Sequence, residues 1–314
     1  MSWVKKRLII DNNVPIDWSN GRAIVPIPEL FDQNKLRIYF STLDELGRSQ
    51  PVFIETNANE PELISKINKD PILELGKLGT FDDSGITVSC IVPFENKRFL
   101  YYIGWNQQKN VSYKLAIGLA ISIDGEPFRK FSLGPILDRD MNEPYFNTAP
   151  YVLIVGEVWH MWYVSCYEWK IVNEWPEPLY NIKHATSVDG IHWSRSKKIC
   201  IYQDDFAEAI GKPSVYIENE IFKMIYSYRN SVNYRVDRNK SYRLGYAESH
   251  DGLHWIRKDS QIGIELSDIG WDSTMMEYAS TYVINNSRYM LYNGNGFGES
   301  GFGYAIKDSL DRDE

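Results

Sequence analysis

The stretch that decides the fold is Ala185–Trp193, A-T-S-V-D-G-I-H-W, which recurs as A-E-S-H-D-G-L-H-W at Ala247–Trp255. The two copies share the pattern A-x-S-x-D-G-x-H-W and begin about 60 residues apart. Asp-Gly is a turn signal, because the carboxylate accepts hydrogen bonds from nearby backbone N–H groups and glycine tolerates positive φ. We interpret the motif as a repeated scaffold turn, in which the histidines are turn residues and the tryptophans pack between repeats.

Two further ladders extend the repeat over the chain, and each recurs at intervals of about 61 to 66 residues. In the first, an aliphatic or aromatic residue is followed by tyrosine, at Ile38-Tyr39, Tyr101-Tyr102, Trp162-Tyr163, Ile225-Tyr226 and Leu291-Tyr292. The second marks the heads of apolar runs, at Val25-Pro26, Ile86-Thr87, Ala149-Pro150, Lys212-Pro213 and Tyr278-Ala279. Periodicity of this kind is typical of repeat architectures, and both ladders predict five units.

Within each unit, short runs rich in β-branched and aromatic residues alternate with turn signals, which is the pattern of a four-stranded meander. The sequence therefore predicts an all-β fold, a single five-bladed β-propeller domain over residues 1–314 with four-stranded antiparallel blades. The last unit lacks an outer strand. The run W-V-K-K-R-L-I-I from Trp3 resembles the outer strands that begin at Trp193 and Trp255. We expect residues 3–10 to pair into the last blade and close the ring.

The charge and the aromatic content of the sequence indicate which classes of ligand the protein binds. The formal net charge of −8 and the absence of a Lys/Arg block argue against nucleic acid and an anionic membrane. The 10 Trp, 21 Tyr and 13 Phe residues favour β-structure and suit a carbohydrate ligand, since aromatic rings stack on the apolar faces of sugars.

The three cysteines are widely spaced, without a C-x-x-C pair, and predict neither a disulfide framework nor a zinc site. We expect no metal and no cofactor. The N-terminal apolar run is too short for a signal peptide, and no apolar stretch approaches the length of a membrane span, so we expect a cytoplasmic location.

In a meander of this kind, the starts of first strands and the loops after second strands share one face. The longer connections lie there, so we expect the functional site at that mouth of the central channel. Glycosidic cleavage needs one protonated and one ionised carboxyl, for which the candidates are Asp83, Glu208 and Glu277. Candidate substrate-binding residues are Arg22, Trp105, Asn147, Trp169, Lys212, Arg229 and Asn295. A structural alternative is that acids at strand starts, which also include Asp82, Glu143 and Asp272, form an ion-pair ring with Arg and Lys.

The five repeats, the A-x-S-x-D-G-x-x-W turn and the acids at successive inner-strand starts resemble the arabinanase, levansucrase and invertase superfamily of five-bladed propeller glycosidases. The mannoside phosphorylases are near relatives of that superfamily. The resemblance implies three channel carboxylates, one of them in the first blade, where this chain has Arg22 instead. Asp83 and Glu208 match the two later acids loosely, and Lys212 stands beside the proline of the fourth unit. Cations beside fewer acids also resemble the phosphorylases, in which they hold inorganic phosphate.

The function expected from the sequence is a glycoside hydrolase acting on an oligo- or polysaccharide in the central channel. The alternatives are a non-catalytic carbohydrate-binding propeller and a glycoside phosphorylase. Two carboxylates about 5 to 9.5 Å apart across the channel favour hydrolysis, whereas one acid with converging Lys and Arg favours phosphorolysis. For hydrolysis we expect an ionised Asp83 near Arg22 or Lys212, and a protonated Glu208 beside Trp or Tyr.

Overall fold

The apolar runs identified in the sequence form β-strands in the computed structural model, which describes residues 2–205 and 207–307. The first strand is β1 (Val4–Ile10). The following strands form consecutive groups. The first group consists of β2 (Ile24–Leu30), β3 (Lys35–Leu43), β4 (Ser49–Asn57) and β5 (Ile64–Ile67). The second group consists of β6 (Gly85–Phe94), β7 (Lys97–Gln107), β8 (Tyr113–Ile123) and β9 (Arg129–Lys130). The third and fourth groups are β10 (Asn147–Val155), β11 (Val158–Val172), β12 (Trp175–Ser187) and β13 (Ser194–Ile199), then β14 (Glu208–Glu218), β15 (Ile221–Asn230), β16 (Arg243–Ser249) and β17 (Ile256–Arg257). The last group consists of β18 (Glu277–Ile284), β19 (Ser287–Asn293) and β20 (Phe302–Lys307).

Each group is an antiparallel meander in which consecutive strands pair. The first and second groups are joined into one eight-stranded sheet by a single parallel bridge between Ser49 and Gly85. The fold is therefore all-β, built from several four-stranded antiparallel units. In the part of the chain that the structure describes, helix is confined to a 3₁₀ turn at Asp259–Gln261 and one irregular turn at Asn295–Gly298. Among the described residues, no helix is long and apolar enough to cross a membrane.

The N-terminal strand completes the last group, because β1 pairs antiparallel with β20 in the order β1-β20-β19-β18. Ile9 and Ile10 are buried in an apolar cluster shared by the first and last groups, and Trp3 is buried against the neighbouring cluster. Burying these side chains stabilises the pairing, since each large apolar side chain removed from water contributes about 1.5 to 3 kcal/mol. The expected pairing of residues 3–10 with the last unit is thus present over Val4–Ile10.

Every first strand carries a β-bulge, a place where one extra residue is inserted opposite its partner strand. In four groups the left-handed residue at the bulge belongs to the second sequence ladder: Val25, Ala149, Lys212 and Tyr278. Three of these are followed by proline, which fits because the extra residue interrupts the backbone ladder that proline cannot join. In the second group the bulge lies between Val88 and Cys90, two or three residues after the ladder position. Non-glycine residues with positive φ are strained and cluster at functional sites.

The Asp-Gly motifs are turns between third and fourth strands. Asp189 Oδ1 accepts hydrogen bonds from the backbone N–H groups of Ile191 and His192, both within 2.9 Å. Gly190 has φ 73°, and its carbonyl accepts a 2.8 Å hydrogen bond from Tyr101 of the preceding group. The second copy has the same Ser-Asp-His bonding and receives the indole N–H of Trp162 at the Gly252 carbonyl. The motif therefore connects neighbouring sheets as part of the scaffold.

Candidate active site

A cavity of about 730 Å³, here called the central cavity, opens on the face where first strands begin and second strands end. Its lining includes the four left-handed bulge residues, Val25, Ala149, Lys212 and Tyr278. The bulges redirect the side chains of the first strands, and they do so at corresponding positions in four groups. The repeated local strain therefore coincides with the wall of the central cavity.

Aromatic rings dominate the wall of the central cavity. Trp105, predicted from the sequence, lines it, donates its indole N–H to Thr87 at 3.1 Å and packs against Tyr113 with ring centroids 5.1 Å apart. None of the other rings in the lining was predicted as a site residue; they are Tyr113, Phe146, Tyr180, Tyr234, Tyr242, Tyr278 and Phe297. Large rings beside a few polar groups are the composition expected of a small-molecule site, and they suit a sugar.

Glu277, the first residue of β18, is not itself among the residues that line the cavity, but it directly precedes Tyr278, which is. Its side chain is completely buried, and neither carboxyl oxygen has a hydrogen-bond partner among the described residues. Burial raises the pKa of Glu277 well above its usual value, although Tyr278, Arg229 and Arg22 oppose the shift. Since a buried charge is costly, burial favours the protonated form of Glu277 over the ionised form. Glu277 is therefore a candidate proton donor beside the cavity.

Two cations of the central cavity lack a carboxylate partner. Arg22 has φ 65° and forms no hydrogen bond or ion pair within the described part of the chain, apart from its longer-range interaction with Glu277. Lys212 is 3% exposed, and its ammonium lies 3.5 Å from the Ser280 hydroxyl and 5.9 Å from the ring centroid of Tyr151. Burial lowers the pKa of Lys212 to about 8, against a small opposing effect of Cys90. These groups retain donors for an anionic or strongly polar ligand.

Arg229 also lines the central cavity, but it is held more firmly. Its guanidinium donates to the Tyr242 hydroxyl and the Pro178 carbonyl, both at 3.2 Å, and lies 3.7 Å from Glu177. It stacks 3.9 Å from the ring centroid of Tyr234. Arg229 therefore fixes the positions of aromatic rings in the wall, in addition to adding positive charge.

Glu208 occupies a different setting from the one expected. Both of its carboxyl oxygens accept 2.7 Å hydrogen bonds from the Arg257 guanidinium, and Oε2 also accepts from the backbone N–H of Asp204. The expected apolar environment of Glu208 is not found, because the Arg257 guanidinium contacts both carboxyl oxygens. The described residues that line the central cavity do not include Glu208.

The Glu208–Arg257 pair is one copy of a repeated contact, which we call the strand anchor. In each copy an acid just before or at the start of a first strand pairs with a cation on the fourth strand. The pairs are Asp82–Lys130, Glu143–Arg195, Glu208–Arg257 and Asp272–Lys5. In three copies the acid also accepts the hydroxyl of the ladder tyrosine, from Tyr102, Tyr163 and Tyr292. Repetition within the sheets marks these acids as scaffold, and Lys5 gives β1 the role of a fourth strand.

The pKa of Asp83 is lowered, but not by the expected cations. Partial burial opposes its charge, whereas hydrogen bonds from the Ser84 hydroxyl, the Gly79 backbone N–H and the Asn106 amide lower its pKa. No ion pair with Arg22 or Lys212 occurs among the described residues. The expected pairing is therefore absent, and three neutral donors within 2.9 Å hold the carboxylate at the edge of the second group.

Three predicted binding residues lie behind the wall. Asn147 is buried and donates to the Asp138 carbonyl at 2.9 Å. Trp169 packs on the rings of Tyr113 and Phe146 with centroids within 5.9 Å. Asn295 Oδ1 accepts the backbone N–H groups of residues 274 and 275, two positions that line the cavity. These three side chains support residues of the cavity wall and do not line it themselves.

One acid that the sequence analysis did not select, Glu299, does line the central cavity. It is exposed and follows the irregular turn at Asn295–Gly298, in which Gly296 and Phe297 are left-handed. Its carboxylate lies over Gly296, where a Cβ would meet the Glu299 carboxyl oxygen at 2.7 Å. In the sequence G-N-G-F-G-E-S-G, the lack of a side chain at Gly296 therefore leaves room for the Glu299 carboxylate. No cluster of three or more metal-ligating His, Cys, Asp or Glu side chains occurs within residues 2–205 and 207–307.

Comparison with solved structures places the fold among the propeller-type glycosidases. A glycoside hydrolase aligns with TM-score 0.76 and 14% identity, covering 98% of this chain and 92% of that chain. A thermostable family-43 glycoside hydrolase aligns with TM-score 0.65 and 17% identity, covering 92% and 90%. A structure from the GH130 family of mannoside phosphorylases, which contains glycoside hydrolases that target β-1,2 mannosidic linkages in Candida mannan, aligns with TM-score 0.64 and 14% identity, covering 99% and 94%.

At the level of sequence, no family model matches the chain. Two Mycobacterium tuberculosis proteins, Uncharacterized protein MT1551 and Uncharacterized protein Rv1502, are each 33% identical over 310 residues. The alignment covers 98% of this chain and the full length of both relatives. The chain belongs to the family of these mycobacterial proteins.

Proposed function

We propose that residues 1–314 form one domain, a five-bladed propeller in which each strand group is a blade and β1 closes the ring. The pairing of β1 with β20 and the contact between Lys5 and Asp272 support this closure. The central cavity is then the mouth of the propeller channel, on the face where its first strands begin. The cytoplasmic location and the independence from metals expected from the sequence remain predictions.

We further propose that the protein cleaves a glycosidic bond in the central cavity, with Glu277 as the general acid. The observation that carries this proposal is the completely buried carboxyl of Glu277, whose pKa is raised by burial, next to a cavity lined by aromatic rings. Cleavage of a glycoside requires a proton on the leaving oxygen, and a carboxyl with a raised pKa can hold that proton near neutral pH. The propeller glycosidases with similar folds support the same reaction class.

Hydrolysis also needs a carboxylate that activates water or attacks the sugar. Glu208 is engaged by Arg257, and Asp83, which is not among the described lining residues, accepts hydrogen bonds from three neutral donors. Glu299 is the carboxylate that lines the central cavity and is exposed to solvent. For the hydrolytic reaction we therefore propose Glu299 as the base or nucleophile and Glu277 as the acid.

Phosphorolysis is the second candidate, and the unpaired cations favour it. Arg22 and Lys212 both line the cavity without a carboxylate partner, which suits an inorganic phosphate dianion. In that reaction a phosphate oxygen bonds to the anomeric carbon while the glycosidic C–O bond breaks. Glu277 gives its proton to the departing oxygen, and the products are a sugar 1-phosphate and a shortened glycoside.

The experiment uses a panel of arabinose-, fructose- and mannose-based oligosaccharides of two to five residues, each with and without inorganic phosphate. Release of reducing sugar without phosphate indicates hydrolysis. A strictly phosphate-dependent sugar 1-phosphate indicates phosphorolysis. Binding without any product, in both conditions, would contradict the catalytic proposal and leave the non-catalytic carbohydrate-binding propeller.

A further inference from the structure

A second cavity, of about 360 Å³, lies beside the central cavity and shares Tyr234 and Arg235 with it. One wall is the tip of the β11–β12 hairpin, and the other is the loop that follows β15. We call this second cavity the hairpin groove. The hairpin is the longest in the described chain, since β11 has 15 residues and β12 has 13. The extra length carries its tip beyond the sheet to the rim of the central cavity.

The hairpin tip has a defined turn conformation and a hydrogen bond to the opposite wall of the groove. Asn173 and Glu174 both have positive φ, at 50° and 69°, as a two-residue turn between twisted strands requires. The Asn173 side-chain amide donates a 3.0 Å hydrogen bond to the Asn233 side chain of the opposite wall. The two walls are therefore tied together across the groove.

Trp175 is the unusual residue of the groove, because it lines the cavity while its side chain is 70% exposed. Glu177 lies two positions further along β12, on the same face of the strand. Glu177 is buried, accepts the Tyr234 hydroxyl at 3.2 Å and is hydrogen-bonded by Arg235. The groove thus places an exposed indole above a buried carboxylate and a half-exposed guanidinium.

These groups match the chemistry of a sugar ring. An indole face packs against the apolar C–H face of a pyranose or furanose, while a carboxylate, a guanidinium and amides bond its hydroxyls. The shared residues Tyr234 and Arg235 make the groove continuous with the central cavity, so one ligand chain can occupy both.

We propose that the hairpin groove is a second saccharide subsite, which binds the sugar residue next to the glycosidic bond that is cleaved in the central cavity. The substrate is then an oligosaccharide or longer glycan of at least two residues, and not a glycoside of a single sugar. The identification of the bond cleaved rests on the proposed function. The binding of a sugar at Trp175 does not, and it can be tested separately.

The test compares wild type, Trp175→Ala and Trp175→Phe by saturation-transfer NMR and titration calorimetry with the oligosaccharide panel above and the corresponding methyl monosaccharides. Trp175→Ala is expected to weaken binding of the oligosaccharides about tenfold or more and to change monosaccharide binding less than twofold. Trp175→Phe, which keeps a smaller ring, is expected to lie between. The matched control is Ile171→Ala, a 72% exposed residue of the same tip outside the groove lining, with no expected change.

Equal weakening for monosaccharides and oligosaccharides, or no weakening for either, overturns the subsite. So does the absence of oligosaccharide binding throughout the panel. A change of oligomeric state in Trp175→Ala, with unchanged sugar affinity, would assign the tip to a protein contact instead. Length-dependent binding that is lost in Trp175→Ala, without any cleavage by wild type, would support the subsite while contradicting the catalytic proposal.

Discussion

The starts of β14 and β18 each carry a glutamate, and the two side chains meet opposite environments. Glu208 accepts a bidentate pair from Arg257, whereas Glu277 is completely buried without a hydrogen-bond partner in the described chain. The difference follows from their distance to the β-bulge. Glu277 stands one residue before the left-handed Tyr278, and Glu208 stands four residues before the left-handed Lys212.

The comparison teaches how to separate scaffold from site in a repeat protein. The strand anchor of Glu208 recurs in four groups, so its acid serves the sheet in which it lies. The position of Glu277 holds Ile24, Thr148 and Gly211 in other groups, one residue before the bulge. Glu277 is the buried acid among these positions; within the described residues it belongs to no strand anchor, and it adjoins the cavity.

The largest expected effect is on catalysis by the Glu277→Gln variant. Glutamine keeps the size of the side chain but cannot donate a proton to the leaving oxygen, so turnover of the cleaved glycoside should fall by about 10²-fold or more. Oligosaccharide affinity should persist. Steady-state kinetics with calorimetric binding check this, and a variant that retains more than half of wild-type turnover would remove Glu277 from the reaction.

The same variant should change stability in a pH-dependent manner. The folded-state pKa of Glu277 lies above its ordinary value of 4.5, so folding takes up a proton at higher pH. The folded state therefore loses stability as pH rises from about 4.5 towards the raised pKa, and Glu277→Gln removes that loss. The melting temperature of Glu277→Gln minus that of wild type should increase between pH 4.5 and 8. A constant or falling difference would contradict a raised pKa.

Glu208→Gln should show the converse behaviour. Replacing the carboxylate leaves Arg257 without its bidentate partner in a largely buried position, which should cost about 1 to 3 kcal/mol of unfolding free energy. Turnover per folded molecule should stay within about twofold of wild type. Glu143→Gln, at the third-group anchor, is the matched control and should behave likewise in denaturant unfolding. Loss of turnover in Glu208→Gln alone would return Glu208 to the catalytic set.

A smaller effect is expected at the fourth anchor, where Lys5→Ala removes the 2.7 Å contact with Asp272. Because Lys5 is partly exposed while Asp272 is buried and keeps the Tyr292 hydroxyl, the loss should be about 1 kcal/mol. Lys6→Ala, the exposed neighbouring lysine on the same strand, is the control and should change stability by less than about 0.5 kcal/mol. Equal effects of the two variants would argue against an anchor in the last group.

Much of the fold could be predicted because its signals are local and repeated. The residues of the first ladder lie on the second strands, and four members of the second ladder lie at the bulges. The Asp-Gly turns and the pairing of the N-terminal strand with β20 also followed from local sequence patterns.

The candidate site could be predicted only in part, because it depends on long-range contacts. Arg22, Trp105, Lys212 and Arg229 line the cavity, and Glu277 adjoins it. The ion pair between Glu208 and Arg257 joins residues that are far apart in the chain, and no sequence motif predicts it. Tyr113 and Tyr180 lie on third strands, where no site residue was predicted. Glu299 lines the cavity because the glycine-containing turn before it leaves room for its side chain.

The protonation state of Glu277 can be measured without any substrate, by infrared difference spectroscopy at neutral pH. Wild type minus Glu277→Gln should contain the carbonyl stretch of one protonated carboxylic acid, because burial without hydrogen bonds favours the neutral form. Wild type minus Glu208→Gln should lack that band, since both carboxyl oxygens of Glu208 accept hydrogen bonds from Arg257. Carboxylate bands in both difference spectra would contradict the assignment of Glu277 as the proton-bearing acid of the cavity.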